Sequence, residues 1–394
     1  MTSLKLSHIS AGFIAVLVGY SSSVAIIFQA AESLGASQAQ LNSWMLALGL
    51  GMGITSIVLS WVYKMPVITA WSTPGAALLV TSLVGVEMQQ AIGSFIVCGL
   101  LILICGLGGW FDKIQQLIPA SIASAMLAGI LFQFGIGIFN ALQQEVFLVA
   151  MMGISYLLGK PLLKNFNIPF VLVLGIFICV QQDLFIEQSI KLSFAVPVWV
   201  VPSFSMATII SVAIPLFVVT MTSQNIPGAA TIKAAGYQPP SSQALCVTGL
   251  CTVLMAPMGG FSYNLAAITA AICCSEEVDN NKKTRYIAGI CTGIFYIIIG
   301  LFGATVVSLF LIAPKALIVT IAGLALLHTL ANSLSVALQK TTEREAALVT
   351  LLVTVSGINF FAIGAAFWGL LFGMLFLWLS RIFNRKLAIA MDKI

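Results

Sequence analysis

Residues 67–77 read Val-Ile-Thr-Ala-Trp-Ser-Thr-Pro-Gly-Ala-Ala, and residues 256–267 read Ala-Pro-Met-Gly-Gly-Phe-Ser-Tyr-Asn-Leu-Ala-Ala. Both stretches lie inside long apolar segments, yet they carry Pro, Gly and polar side chains where an ordinary membrane span carries Leu and Val. Unpaired backbone groups are costly in hydrocarbon, so an interrupted backbone at this depth needs a covering of protein or a water-filled cavity. One stretch falls in each half of the chain, a pattern that indicates a transporter's substrate site.

The composition indicates an all-α polytopic membrane protein. The chain of 394 residues is 60% hydrophobic and 7% charged, which leaves too little polar surface for a soluble domain. The first apolar run lacks a cleavage site and is predicted to be a retained first helix. Eight cysteines lie in apolar runs without metal-ligand spacing, so we expect no metal and no cofactor. The net charge of +5 reflects basic loops and gives no reason to expect a nucleic-acid partner.

Apolar segments long enough to cross a bilayer predict fourteen spans. About 20 apolar residues are needed for each crossing. The predicted spans are 11–33, 39–62, 66–86, 91–111, 117–139, 145–160, 168–182, 206–224, 241–257, 257–275, 285–306, 309–329, 344–361 and 363–381.

The basic residues predict the orientation of these spans. With a cytoplasmic N-terminus, all the Lys and Arg residues except Lys191 and Lys315 fall on the inner side, as the positive-inside rule requires. The sequence therefore predicts a multi-pass protein of the cytoplasmic (inner) membrane with both termini in the cytoplasm.

Weak internal similarity relates the two halves of the chain. A shift of 194 residues brings Leu117-Ile118 onto Leu311-Ile312, and Ala128-Gly129 onto Ala322-Gly323. A shift of 190 matches the interrupted third span to the tenth. Because seven is odd, two seven-span halves must insert with opposite topology, which predicts the inverted repeat of alternating-access carriers.

In the third span, local signals predict a short extended piece over 67–71 followed by a half-helix. Pro74 disfavours helical geometry at Thr73 and is itself at home in the first turn of a helix, with Ser72 or Thr73 as the N-cap. Gly75 follows within that first turn.

In the tenth span, Gly259 and Gly260 are predicted to loosen the backbone. Ser262 or Asn264 is then predicted to cap a second half-helix over 265–273. Inverted symmetry directs both helix N-termini toward each other, and their amides form an anion site without an arginine. The alternative is that both interruptions are kinks packed by neighbouring helices.

Further polar and aromatic residues are predicted to line the same site. Ser21–Ser23 is interpreted as a helix–helix contact, whereas Gln29, Gln224 and Asn225 are interpreted either as ligand-facing groups or as such contacts. The predicted substrate-binding residues are Gln29, Trp71, Ser72, Thr73, Pro74, Gly75, Gln224, Asn225, Gly259, Gly260, Phe261, Ser262, Tyr263 and Asn264.

The predicted spans carry no ionisable residue near their centres. Glu32 lies near the outer end of the first span and is the candidate for proton coupling, with a solvated helix end as the alternative. His328 is predicted at the inner end of the twelfth span as a solvated group. The two histidines are not paired with carboxylates, so hydrolase chemistry is unsupported.

Several motifs make the chain resemble the bacterial benzoate:proton symporter family. They are Ala-Trp-Ser-Thr-Pro-Gly-Ala-Ala (Ala70–Ala77), Thr-Met-Thr-Ser-Gln-Asn-Ile-Pro-Gly (Thr220–Gly228), Lys-Ala-Ala-Gly (Lys233–Gly236), Leu-Ala-Ala-Ile-Thr-Ala-Ala-Ile (Leu265–Ile272) and Ala-Phe-Trp-Gly-Leu (Ala366–Leu370). The resemblance covers essentially the whole chain.

The resemblance implies the seven-plus-seven inverted-repeat fold that nucleobase and sulfate carriers share. It implies a core domain of residues 1–112 and 206–306 (spans 1–4 and 8–11) and a gate domain of residues 113–205 and 307–394. Nucleobase carriers of this fold use carboxylates on spans eight and ten. Here the corresponding stretches offer Ser223, Gln224 and Asn264, which argues against nucleobase transport.

The leading functional hypothesis is a secondary active transporter that imports benzoate or a similar aromatic carboxylate with protons. A carrier of another organic or inorganic anion, or of a neutral heterocycle, is the first alternative. An anion channel is the second, and a membrane enzyme lacks reactive groups. The expected partners are the aromatic carboxylate, protons and the lipid bilayer, and a homodimer is one option for the assembly.

Overall fold

Two short strands meet in the middle of a bundle of helices. The computed structural model describes residues 4–111, 113, 119–163, 166–186, 192–358, 360, 361, 363 and 365–391. The strands are β1 (Thr69–Trp71) and β2 (Tyr263–Leu265). The helices of the first half are α1 (Leu6–Ser33), α2 (Gln38–Tyr63), α3 (Thr73–Ser82), α4 (Met88–Leu107), α5 (Ala120–Gln144), α6 (Val146–Leu163) and α7 (Asn167–Gln181). Those of the second half are α8 (Met206–Ala234), α9 (Ser241–Met255), α10 (Ile268–Cys274), α11 (Tyr286–Leu301), α12 (Gly303–Leu311), α13 (Lys315–Ala337), α14 (Arg344–Val355) and α15 (Ala365–Met391).

Most of these helices are suited to a bilayer. Among the described residues, eight helices are long and apolar enough to cross a membrane, and two bent pairs raise the number to ten. One bend of 42° lies within α1, and a bend of 66° separates α11 from α12. The predicted total of fourteen spans stays a prediction, because α3, α10 and α14 are shorter than a bilayer crossing.

The two halves pack with inverted symmetry. Strand β1 pairs antiparallel with its counterpart β2, and α5 packs along its counterpart α13. Helix α2 packs on α11, and their counterparts in the other half, α9 and α4, pack on each other. In the same way α1 contacts α10, and their counterparts α8 and α3 contact each other. Exchanging the halves turns each pairing into its counterpart. This arrangement confirms the predicted inverted-repeat fold with interrupted third and tenth segments.

Small residues allow α2 and α11 to pack closely together. A Cβ atom at Gly49 of α2 would lie 2.5 Å from Gly300 Cα of α11, and one at Gly53 would lie 2.6 Å from the carbonyl oxygen of Gly293. Membrane helices associate through such small-residue contacts, because lipid tails provide no hydrophobic driving force. The pair α2–α11 therefore forms a rigid support beside the strands.

Several segment boundaries differ from the predicted ones. Helix α8 continues to Ala234, ten residues beyond the predicted end at 224, and contains π-helical turns at Ile209–Ala213 and Met221–Asn225. The predicted span 309–329 is shifted, since α13 runs over Lys315–Ala337. Hydropathy placed this end too early because the last turns of α13 carry Asn332, Ser333 and Ser335, which reduce the apolar signal while the helix continues.

Residues 192–205 form an irregular segment that crosses one end of the bundle. The amide of Val198 donates to Ser43 Oγ of α2 at 2.9 Å, and the amide of Ser203 donates to the carbonyl oxygen of Gln89 of α4. Val200 N donates to the carbonyl oxygen of Pro257. The segment is therefore held against the ends of α2, α4 and α9.

Candidate functional site

The interrupted third span has the predicted geometry. Residues Thr69–Trp71 form a strand, and α3 begins at Thr73 with Pro74 in its first turn. Ser72 is the N-cap, and its Oγ accepts a hydrogen bond from the Gly75 amide at 3.0 Å. Ala76 N donates to the carbonyl oxygen of Ser72, so among these first amides only that of Thr73 is left without a described hydrogen bond.

The tenth span begins its half-helix later than predicted. Helix α10 starts at Ile268 after the N-cap Ala267, which makes no side-chain capping bond, so neither Ser262 nor Asn264 is the cap. The prediction of a helix from Leu265 was wrong because residues 263–265 pair with β1 and are held extended. The α10 amides of the first turn are consequently not capped by the N-cap side chain.

A hydroxyl on α8 joins the two interrupted spans, which the sequence did not predict. Thr220 Oγ1 lies 3.0 Å from Ser72 Oγ and 3.1 Å from Ser262 Oγ, and all three residues are fully buried. The amide of Ser72 also donates to the carbonyl oxygen of Ser262 at 3.0 Å. These bonds fix the start of α3 relative to the start of β2.

A cavity of about 390 Å³ opens beside the starts of α3 and α10. Trp71, Thr73, Pro74 and Gln224 are the predicted site residues that line it. The remaining lining residues are Val18, Gly19, Ser23, Met52, Ala70, Ser223, Pro227, Ala266, Ala267, Ile268, Thr269, Tyr296, Ala325, Leu326, His328, Thr329 and Asn332. The cavity therefore lies between the strand ribbon and the middle of α13.

An aromatic wall bounds one side of the cavity. The Trp71 indole Nε1 donates to Ser23 Oγ at 2.8 Å, and Ser23 Oγ donates to the carbonyl oxygen of Gly19. The Trp71 ring packs edge-on against Tyr20, with centroids 4.7 Å apart, and Tyr20 lies 6.2 Å from Tyr296. Ser23 thus holds an indole in place, which is a different role from the helix–helix contact predicted for Ser21–Ser23.

Three predicted polar residues lie immediately behind the lining. Asn225 is buried, and its Oδ1 accepts a hydrogen bond from the Leu265 amide at 3.0 Å. Asn264 is also buried, and neither its Oδ1 nor its Nδ2 has a hydrogen-bond partner among the described residues. Its cross-strand partner is Ala70, so both side chains lie on the same face of the two-stranded ribbon. Ser262 is held by Thr220 as described above.

The other predicted residues of 256–267 pack against α2 and α4 and do not line the cavity. Phe261 packs 6.2 Å from Trp44 and 6.1 Å from Phe95 between ring centroids. Tyr263 is buried, and its hydroxyl donates to the carbonyl oxygen of Ala47 at 2.7 Å. Gly260 approaches the Tyr263 hydroxyl, where a Cβ atom would lie 2.5 Å away.

Gly259 has a conformation that L side chains rarely adopt. Its φ is +99°, and a Cβ atom there would overlap the Trp44 indole at 1.8 Å. The glycine is therefore required both for the turn that follows α9 and for the close approach of α2.

Gln29 and Glu32 lie on α1 beyond the cavity. Gln29 is half-buried, and its Nε2 has no hydrogen-bond partner among the described residues. It lies about three helical turns beyond Val18, which lines the cavity. The Glu32 side chain is 72% exposed and lies 3.8 Å from Lys315 Nζ.

The structure adds His328 and Asn332 of α13 to the site. Both line the cavity and are exposed within it. The sequence prediction put His328 at a helix end, whereas α13 places it two residues beyond its central residue, Leu326. Extending the helix through Asn332 would have revealed the shared face, because Ala325, His328, Thr329 and Asn332 recur at helical spacing.

Comparison with known protein families assigns the whole chain to one group. A family model described as "Benzoate membrane transport protein" matches residues 2–379. An "Inner membrane protein YdcO" of Escherichia coli (strain K12) is 46% identical over 363 residues, which cover 92% of this chain and 93% of that protein. A "Benzoate membrane transport protein" of Acinetobacter baylyi is 38% identical over 371 residues, or 94% of each chain.

Solved structures of anion transporters have the same fold. The transmembrane domain of a cyanobacterial bicarbonate transporter, BicA, aligns with a TM-score of 0.61 and 15% identity over 89% of this chain and 95% of that chain. The murine SLC26A9 anion transporter in its inward-facing state aligns with a TM-score of 0.65 and 12% identity over 98% of this chain and 69% of that chain. At these identities the likeness supports the inverted-repeat membrane fold alone.

Proposed function

The chain belongs to the benzoate membrane transport protein family, and we propose that this multi-pass membrane transporter imports benzoate or a similar aromatic carboxylate with protons. The observation that carries the proposal is a cavity with uncapped helix amides and an aromatic wall in its lining. Its volume of about 390 Å³ is in the range of small-molecule sites.

The carboxylate is proposed to bind at the two helix starts. The Thr73 amide and the first amides of α10 supply hydrogen-bond donors, and the Gln224 side chain adds a polar group from α8. Helix N-termini favour anions because their first amides have no intrahelical partner. Since α10 has seven residues, the amides contribute more here than its macrodipole does.

The aromatic ring is proposed to contact Trp71 and Tyr296. Both side chains are large and apolar, both line the cavity, and the Trp71 ring is fixed in place by Ser23. Aromatic pairs gain about 0.5–1.5 kcal/mol beyond the burial of their area. A site for a small inorganic anion gains nothing from such a wall, so the wall favours an aromatic acid over an inorganic anion.

Alternating access is proposed to move the two interrupted spans past the gate helices. The proposed core comprises residues 1–112 and 206–306, and the gate comprises residues 113–205 and 307–394. The cavity residues on α8 and α13 lie mostly at the midpoints of those helices or in their C-terminal halves. If both termini are cytoplasmic, as the positive-inside rule predicts, the cavity faces inward, and the aromatic cluster of Trp44, Phe95 and Phe261 closes the outer side.

The test is uptake of labelled anions into proteoliposomes with and without an inward pH gradient. Flux into protein-free liposomes must be subtracted, because benzoic acid crosses bilayers unaided. We expect saturable benzoate uptake that a pH gradient drives uphill and that bicarbonate does not compete for. Uptake that does not saturate and cannot be driven uphill would indicate a channel instead.

A pair of tryptophan variants tests the aromatic wall within the same assay. Trp71→Leu should weaken benzoate binding by about tenfold, the factor that corresponds to ~1.4 kcal/mol of lost ring contact. Trp61→Leu is the matched control, since Trp61 is 61% exposed on the outside of α2. Equal affinities for the two variants would remove Trp71 from the binding site.

A further inference from the structure

His328 occupies a place in α13 that is expensive for an ionisable group. The helix has 23 residues, and His328 lies two positions beyond the central residue, Leu326. The His328 side chain is exposed to the cavity. Ionisable residues near the middle of a membrane helix are rare and by default mark a pathway for substrate, ions or protons. Thr329 and Asn332 line the cavity beside it, so this face of α13 is polar over two turns.

No carboxylate, lysine or arginine lines the cavity among the described residues. The titratable groups of the lining are His328 and the phenol of Tyr296. The other titratable groups on α13 and on the helices packed against it are Lys315, His8, Tyr20, Glu32, Tyr156, Lys160, Cys179, Arg344 and Glu345, and none of them lines the cavity. Histidine is the side chain whose charge changes near neutral pH, which makes His328 the proton acceptor best placed to face a bound anion.

We propose that His328 is the proton-coupling residue of the transport cycle, an inference that rests on the proposed function and assigns its proton to one side chain. An imidazole nitrogen takes a proton from water on the outer side and becomes an imidazolium. The imidazolium then attracts the substrate carboxylate, which the starts of α3 and α10 hold in the same cavity. On the inner side the N–H bond breaks, and the proton and the carboxylate both leave to water.

The coupling follows from reciprocity between the two ligands. A bound carboxylate stabilises the charged imidazole, and the charged imidazole raises affinity for the carboxylate by the same factor. The cation lies on α13 while the anion-binding amides lie on the two interrupted spans, so movement between these elements separates the pair. One proton and one monovalent anion cross together, and transport is electroneutral.

The decisive variant is His328→Gln, which keeps a polar group of similar size and removes the proton. In proteoliposomes we expect it to retain exchange of external labelled benzoate for internal unlabelled benzoate. It should lose the accumulation of about tenfold that a gradient of one pH unit sustains for one proton per anion. Benzoate-dependent acidification of an internal pH dye should be lost as well.

The matched control is His8→Gln, which removes the other histidine of the chain. His8 is buried, and its Nε2 lies 3.1 Å from Asp279 Oδ2, away from the cavity lining. The expectation that neither histidine is paired with a carboxylate was therefore wrong for His8, because Asp279 is 271 residues away in the sequence. This variant should accumulate benzoate as the wild type does. The Glu32→Gln variant tests the exposed carboxylate of α1 in the same series.

Each result bears on a different proposal. Undiminished accumulation by both His328→Gln and Glu32→Gln would overturn the assignment and place the proton on the substrate itself. Loss of accumulation in Glu32→Gln but not in His328→Gln would overturn it in favour of Glu32. Wild-type protein that takes up no benzoate would overturn the proposed function instead. If His328→Gln is unstable in detergent, His328→Asn is assayed, and binding without pH-driven accumulation again supports the assignment.

Discussion

The amide of Ser72 donates a hydrogen bond to the carbonyl oxygen of Ser262 at 3.0 Å, and this bond joins the two interrupted spans next to the cavity. Thr220 Oγ1 reaches both serine hydroxyl groups from α8. The two half-sites are therefore one connected unit, in which a change on α8 affects the starts of both α3 and β2.

Thr220→Val should disrupt that unit without changing its shape. Valine is nearly isosteric but leaves the buried hydroxyl groups of Ser72 and Ser262 with one partner fewer. We expect a loss of about 1–3 kcal/mol in stability and a lower rate of transport. The control is Thr222→Val, because the hydrogen bond that the structure describes for Thr222 Oγ1 goes to the Val218 carbonyl oxygen within its own helix. Thermal unfolding in detergent and benzoate uptake would both be measured, and equal effects of the two variants would contradict the prediction.

Gly259→Ala should destabilise the folded protein more than Gly85→Ala, which introduces backbone strain alone. Gly85 also has positive φ, +76°, but a Cβ atom there would meet nothing within 4 Å. Gly85→Ala should therefore cost about 1–2 kcal/mol for the left-handed conformation alone. Gly259→Ala adds the overlap with Trp44, and we expect a lower unfolding midpoint and much less folded protein. Similar midpoints for both variants would show that Trp44 moves aside at little cost.

Local signals in the sequence predicted the first half-site but not the second. Ser72 and Pro74 specify the start of α3 through their own chemistry, so residue type and spacing were sufficient. The start of α10 depends on pairing of Tyr263–Leu265 with β1, a tertiary contact that no local signal encodes. His328 was misplaced for a different reason, because polar residues in the last turns of α13 masked the length of that helix.

Asp279 should make stability depend on pH in acid. Hydrogen bonds from Lys5, Thr284 and the Asn281 amide lower the pKa of this buried carboxyl well below its ordinary value of 3.8. A lowered folded-state pKa contributes stability that is present above the ordinary value and is lost as the pH falls through the folded-state value. The wild type should therefore lose this contribution progressively below about pH 4.

Asp279→Asn isolates that contribution. Unfolding midpoints of the variant and its parent would be compared at several pH values in a His8→Gln background, so that Asp279 has no neighbouring imidazole. We expect the parent to be more stable above about pH 5 and the difference to narrow below about pH 4. A difference that stays constant down to pH 3 would show that the carboxylate charge is not what these bonds stabilise.

Cysteine accessibility should distinguish the open side of the site from its closed side. In a background without the eight native cysteines, Thr329→Cys should react with a small polar thiol reagent because Thr329 lines the cavity. Leu327→Cys is the matched control on the lipid-facing side of α13, where the polar reagent should react slowly. Benzoate should protect Thr329→Cys from reaction.

Phe261→Cys should behave in the opposite way. Phe261 is fully buried between Trp44 and Phe95, so it should stay unreactive while the cavity is open beside α13. If the transporter alternates, a pH gradient that favours the outward-facing state should increase reaction at Phe261→Cys and decrease it at Thr329→Cys. Reactivities that rise or fall together would contradict alternating access, because a single gate that opens and closes changes both sides in the same direction.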